Sequence, residues 1–213
     1  MTRGLFITLE GPEGAGKTTV LDMLLKHYQD QGKQILKTRE PGGIRIAEKI
    51  REVILNPSHT EMDARTEALL YAAARRQHLV EKVIPALNNN AIILCDRFID
   101  SSLAYQGHAR GLDMQEIWEI NQFAIGGVMP QLTIYFDLDP KIGLERINKT
   151  NNREVNRLDL EDIKFHQLVQ EGYYKVIEKY SDRITKIDAS QPIELVLEQA
   201  IKTIDEYILN KQK

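Results

Sequence analysis

Residues Gly11 to Thr18 read Gly-Pro-Glu-Gly-Ala-Gly-Lys-Thr, an instance of G-x-x-x-x-G-K-[ST]. Ahead of it, Leu5 to Leu9 form a short apolar run of strand type. Behind it, Val20, Leu21, Leu24, Leu25 and Tyr28 fall at helical spacing, and Gly32 stands where a C-terminal stop is expected. Strand, glycine-rich turn and helix in that order make a phosphate cradle. The glycines let successive backbone N–H groups point inward at phosphate oxygens, and the following helix presents its positive end. Lys17 is expected to reach the β and γ phosphates of a nucleoside triphosphate, and the Thr18 hydroxyl to ligate magnesium. The stretch Gly11, Pro12, Glu13, Gly14, Ala15, Gly16, Lys17, Thr18 and Thr19 is therefore the candidate triphosphate-binding segment.

Outward from this loop, four more apolar runs recur at Gln34 to Thr38, Ala91 to Cys95, Leu132 to Asp137 and Ile184 to Asp188. Helical patterns lie between and after them, over Ile46 to Leu55, Ala64 to Leu87, Met114 to Ile125, Lys141 to Asn148, Leu160 to Lys179 and Ile193 to Leu209. This alternation predicts an α/β fold of the P-loop NTPase type, with a five-stranded parallel sheet between two helical layers. The runs are nearly continuous in apolar residues, as strands covered on both faces should be. The second and fifth are weaker and are expected toward an edge. Two segments break the rhythm, Asp100 to Gly111 and Lys149 to Asp159. The latter, KTNNREVNRLD, has few residues that could anchor a core and reads as a mobile surface loop. With no repeat or Pro- or Ser-rich linker, the expectation is a single domain over residues 1–213 with a lid at about 149–159.

The 28 Lys plus Arg against 31 Asp plus Glu leave a formal charge of −3, which argues against a nucleic-acid polymer as partner but leaves small anions open. One cysteine, Cys95, cannot form an internal disulfide and reads as a small buried hydrophobe. No apolar run approaches the roughly 18 residues a membrane helix needs, and Leu5 to Leu9 is too short for a secretory segment, so a cytoplasmic protein is expected. The five histidines, His27, His59, His78, His108 and His166, show no metal-ligand spacing and receive no catalytic role. Glu161, Asp162 and Lys164 read as a solvated face. Trp118 and Phe123 fit either core or subunit surface.

A GTPase switch generally needs a D-x-x-G segment and an N-K-x-D segment. No glycine here has an aspartate three residues before it, and Asn148-Lys149-Thr150-Asn151 ends in Asn and follows a helix. Instead, further anion-binding features stand at strand C-terminal ends: Arg39-Glu40-Pro41-Gly42-Gly43 after the second run, then Asp96-Arg97-Phe98 and Ser101-Ser102-Leu103-Ala104-Tyr105-Gln106-Gly107 after the third. In an open α/β sheet these ends face one crevice, so a second phosphate site is expected there, as a transferase requires. Tyr71 and Arg75, four apart on one helical face, can hold a base by stacking and a donor.

In these motifs, taken in order and over nearly its whole length, the chain closely resembles thymidylate kinases of the bacterial type. They are the phosphate loop, R-E-P-G-G, the aromatic helix ending A-A-R-R, D-R-[YF] with S-S-x-A-Y-Q-G, and a lid ending N-R-L-D. The resemblance implies a homodimer that transfers the γ-phosphoryl group of ATP to the 5′-phosphate of dTMP, with Mg2+. It puts Tyr71 against thymine, Arg75 at its O4 edge, and Ser102 and Gln106 near the remaining edge. Tyr105 would crowd the sugar 2′ position. Arg97 would hold the acceptor phosphate with Arg39 or Arg51 nearby, and Glu40 and Glu13 would sit beside the acceptor and its sugar. Asp96 would help hold magnesium or its waters, or else orient Arg97. The phosphate loop carries no basic residue between Pro12 and Ala15, so the family pattern asks for a lid arginine, Arg157 or Arg153, of which Arg157 is the better matched. Tyr71 and Phe98 exchange one aromatic ring for another relative to many members, and Ala74 stands where some have Ser. The competing readings are a deoxynucleoside kinase, with Glu40 as base for a 5′-hydroxyl, and a non-catalytic nucleotide switch.

Overall fold

The computed structural model describes residues 4–149 and 156–211, with the side chain of Asn148 excepted. Five strands, β1 (Leu5–Glu10), β2 (Ile35–Arg39), β3 (Ile92–Asp96), β4 (Leu132–Asp137) and β5 (Ile184–Asp188), pair in parallel in the order β2-β3-β1-β4-β5. The two weaker runs are the edges, as expected, because only the inner strands are covered on both faces and need unbroken apolar sequence. Helix α1 (Lys17–Asp30) and α9 (Ile193–Lys211) close one face through Val20, Leu21, Leu24, Val196, Ala200 and Ile204. The other face carries α3 (Ala64–His78), α6 (Met114–Ile125) and α8 (Ile163–Lys179), while α2 (Arg45–Leu55) packs on α3.

The register brings Leu9, Arg39 and Asp96 to one level, since Leu9 and Arg39 both pair with Asp96. Two bonds continue the alignment past the sheet: Glu40 N–H donates to Asp96 O (2.9 Å) and Arg97 N–H to Leu9 O (3.0 Å). The C-terminal ends of β1, β2 and β3 thus form one rim.

The structure redraws several of the expected features. The Ala64 to Leu87 pattern is not one regular helix. It widens into a π-type turn over Leu79–Val83 before α4 (Ile84–Asn88), where Pro85, lacking an N–H, enters. The Asp100 to Gly111 interruption is helical: α5 (Ile99–Ser102) runs into a π-type segment over Leu103–Ala109. Its polar residues are internal, because Asp100 pairs with Arg183 (2.6 Å), Ser102 with Arg75 (3.0 Å) and Gln106 with Glu67 (2.7 Å). The Leu160 to Lys179 helix begins only at Ile163, because Asp162 caps it by accepting from Phe165 N–H (2.9 Å). Glu161 is likewise more than a solvated residue, being paired with Arg110 at 2.7 Å. Ahead of the cap come α7 (Pro140–Asn148) and a 3₁₀ turn, Arg157–Leu160, started by an Asn156/Asp159 capping box. Residues 150–155, most of the expected lid, lie outside the described residues.

Candidate active site

Gly16, in a left-handed conformation (φ 81°), turns the chain from β1 into α1. The loop is also pressed against α7: a Cβ on Gly14 would lie 2.1 Å from Gly143 O, and one on Gly143 2.2 Å from Glu13 O. Two backbones therefore meet where no side chain fits. Lys17 folds its buried ammonium back onto Gly11 O (3.0 Å) and Pro12 O (2.8 Å). Burial, with Arg97 nearby, brings it down to about 8.

A cleft of about 720 Å³ runs from this loop across the sheet rim. Of the residues expected in the site, Glu13, Gly14, Ala15, Gly16, Lys17, Thr18, Thr19, Arg39, Glu40, Arg51, Tyr71, Arg75, Asp96, Arg97, Ser102, Tyr105 and Gln106 line it. Gly11 and Pro12 lie behind, presenting carbonyls to Lys17.

At the loop end, Thr18 Oγ1 donates to Asp96 Oδ2 (2.7 Å), while Asp96 Oδ1 is buried without a hydrogen-bond partner. One hydroxyl and one carboxylate with an unmet lone pair suit a hard cation that takes its other ligands from phosphates and water. Among the described residues no cluster of three or more His, Cys, Asp or Glu offers a full protein cage.

In the middle, Arg97 adopts φ 67° and its guanidinium is held from several sides. It donates to Gly11 O (3.0 Å), Ser101 Oγ (3.2 Å), Tyr173 Oη (3.1 Å) and Glu13 Oε1 (2.8 Å), and lies over the Tyr105 ring at 5.0 Å. Lys17 and Arg97 thus converge on one oxygen, Gly11 O. Beneath them the buried Glu10 carboxylate accepts from Phe98 N–H (2.7 Å), Ser101 (2.5 Å) and Tyr173 (2.9 Å). Burial and the neighbouring Asp100 push it up to about 7.

At the far end, buried Arg75 donates from Nε to Glu40 Oε2 (2.7 Å) and from Nη1 to Ser102 Oγ (3.0 Å) and Asn121, and it lies over the Phe98 ring. Glu40, after the cis Glu40–Pro41 bond, also meets His78 Nδ1 (2.8 Å), whose Nε2 meets Thr38 Oγ1 (2.7 Å). His78 belongs to the site's support although sequence reasoning gave it no role. Its position on the α3 face of Arg75, three residues on, was the available signal. Arg39, on the rim, is paired with Glu48 at 3.0 Å, and Arg51 donates to Pro41 O (3.2 Å).

Of the two lid arginines, Arg157 falls among the described residues. Arg157 is not on the cleft wall but buried, donating to Ile54 O (3.0 Å) and paired with Glu67. A short 3₁₀ turn and a buried carboxylate hold it there. Arg153 lies outside the described residues.

The sequence model of a family described as thymidylate kinase matches residues 9–200. Similar proteins include a thymidylate kinase of Geobacillus sp. (strain WCH70), 61% identical over 97% of this chain and 98% of its own length. Another is that of Bacillus licheniformis, 61% identical over 98% and 99%. Among solved structures, a crystal structure of thymidylate kinase from Ehrlichia chaffeensis superposes with a TM-score of 0.77 at 30% identity, covering 95% of this chain and 99% of the other.

Proposed function

We propose the following division of labour for a chain that belongs to the thymidylate kinase family. It is an enzyme of nucleotide biosynthesis that transfers the γ-phosphoryl group of ATP to the 5′-phosphate of dTMP, giving dTDP and ADP. The acceptor is a phosphate monoester whose second pKa is about 6, so at neutral pH it is already an anionic nucleophile and needs no strong general base. Charge is the barrier. Two polyanions must be brought together in line, which is work for fixed cations.

The observation that carries the assignment is the convergence of Lys17 and Arg97 on Gly11 O, each at 3.0 Å. Lys17 is the cation of the ATP side and Arg97 that of the acceptor phosphate; the transferring group lies between them. The backbone from Gly11 to Thr19 cradles the ATP phosphates. Thr18 and Asp96 would hold Mg2+, which when bound supplies positive charge across the phosphate oxygens. Tyr71 stacks on the base, Arg75 meets its O4 edge, and Ser102 and Gln106 meet the rest. Tyr105 stands at the sugar 2′ position, Glu13 and Glu40 beside the acceptor, and Arg39 and Arg51 at the phosphate's outer side. Because Arg157 is committed to Glu67, the arginine delivered from the 149–159 lid is assigned to Arg153.

The same reading takes residues 1–213 as one domain working as a cytoplasmic homodimer. Among the described residues no helix is long and apolar enough to cross a membrane. Helices α3 and α6 lie together, with Arg65 paired to Glu116 at 3.3 Å, and each leaves an apolar side chain outside: Leu69 is 56% and Phe123 91% exposed. Such a face favours a subunit contact.

A coupled assay with ATP and magnesium, comparing dTMP, thymidine, dUMP, dCMP and dGMP, tests the acceptor assignment. Turnover should be highest with dTMP. Strong activity on thymidine without activity on dTMP would make Glu40 a base for a 5′-hydroxyl and the chain a nucleoside kinase.

A further inference from the structure

We infer that Glu67 is a positioning residue for acceptor choice: it fixes which way round the Gln106 amide faces the cleft, and so admits bases that carry an N–H at the edge Gln106 meets. Glu67 lies on α3, four residues before Tyr71 and eight before Arg75, on the helix face that forms the far end of the cleft. Its carboxylate is buried. Oε1 accepts from Gln106 Nε2 at 2.7 Å, while Oε2 is paired with Arg157 and lies 3.4 Å from Arg110 Nη2.

A glutamine side chain can be turned over, exchanging donor for acceptor, at little cost unless its surroundings choose. Here they choose. A carboxylate between two guanidinium groups only accepts, so the amide nitrogen of Gln106 must face it, and the amide oxygen is what remains to offer the cleft that Gln106 lines. That oxygen also only accepts. Thymine and uracil bear an N–H at N3 and can donate to it. Cytosine has a lone pair there, and two acceptors would be brought face to face with no hydrogen between them. The arrangement turns a charge on one helix into a rule about a hydrogen atom on the substrate, without Glu67 touching the substrate.

This inference rests on the reading that Gln106 lies at the base edge, so the experiment needs two arms. In both, kcat/KM is measured for dTMP, dUMP and dCMP. Gln106→Leu tests the underlying reading: it should raise KM for dTMP and shrink the dTMP-to-dCMP ratio. An unchanged ratio would mean that Gln106 does not face the base, and the premise would fail. Glu67→Gln tests the inference. A neutral amide at 67 can donate or accept, so the Gln106 amide is released to turn over. The dTMP-to-dCMP ratio should then fall by about tenfold or more, the scale expected when one buried hydrogen bond stops discriminating. The dTMP-to-dUMP ratio should stay as it was, because those bases differ by a methyl group and not at N3. Damage to the fold would lower all three values together and leave both ratios alone. That outcome, or a loss confined to the dTMP-to-dUMP ratio, would overturn the role of Glu67 if Gln106→Leu has passed. Should Glu67→Gln fail to fold, Glu67→Asp keeps the charge for Arg157 and Arg110 but withdraws the carboxylate from Gln106. It should move the dTMP-to-dCMP ratio in the same direction, and an unchanged ratio there would count equally against the inference.

Discussion

Glu10 ends β1 with its carboxylate sealed under the residues that grip Arg97, and its proton affinity is accordingly abnormal. Raised from 4.5 to about 7, it binds its proton more tightly folded than unfolded. Its contribution to stability is therefore complete below about pH 4.5 and is lost as pH rises through 7. At about 1.4 kcal/mol per pH unit, that is a loss of about 3 kcal/mol between those limits. Glu10→Gln should remove this slope. Urea denaturation at pH 5 and pH 8 should show the variant's unfolding free energy declining by about 3 kcal/mol less than the parent's, and parallel declines would show that Glu10 does not titrate there. At this scale the sequence was legible where a motif names a residue: Lys17, Thr18, Asp96 and Arg97 all come to line one cleft. It was not legible for Glu10, His78 or Glu67, whose roles come from partners far along the chain: Glu67 meets Arg157 at a separation of 90 residues, and Glu10 meets Tyr173 at 163. No local pattern encodes such pairs. The pairing of Arg157 with Glu67 was hidden for the same reason.

The strands were readable almost to the residue, because inner parallel strands covered on both faces run nearly continuous in apolar residues, and their few polar side chains are bonded inside, as Thr8 is to Thr133 (2.8 Å). Helices were readable where one face is solvated. At Asp100 to Gly111 the helical character was hidden, because polar residues satisfied inside the protein break the apolar periodicity that marks a helix. The backbone contact of the phosphate loop with α7 was also invisible, since it uses two glycines 129 positions apart and no side chain. It carries its own prediction. Gly143→Ala sets a methyl group 2.2 Å from a carbonyl that belongs to the loop, and neither backbone can yield without moving the other. Thermal stability should fall by roughly 1–3 kcal/mol, the usual cost of overpacking, and KM for ATP should rise several-fold. Wild-type values for both would show that the helix and the loop are free to part.

Over the whole molecule, a formal charge of −3 conceals a cationic group gathered on one cleft: Lys17, Arg39, Arg51, Arg75 and Arg97. Averaged charge argues against an extended polyanion as partner, whereas its distribution fits two small ones enclosed. Trp118 and Phe123, indistinguishable in sequence, separate in the fold. Trp118 stacks on Tyr180 (centroids 5.4 Å apart), and Phe123 stands outside. On the proposed homodimer, Phe123→Arg should shift the protein toward monomer in sedimentation velocity while leaving its melting temperature close to the parent's, whereas an unchanged sedimentation coefficient would move the proposed subunit contact elsewhere or remove it. The chain's one thiol sits at the opposite extreme: Cys95 is fully buried in β3, and burial holds its pKa well above the ordinary value. To a maleimide the native protein is consequently blank. A cysteine introduced at exposed Lys149 would be the single point of attachment for a dye or spin label, and the surroundings of that position could be followed during turnover with no cysteine-free background to build first.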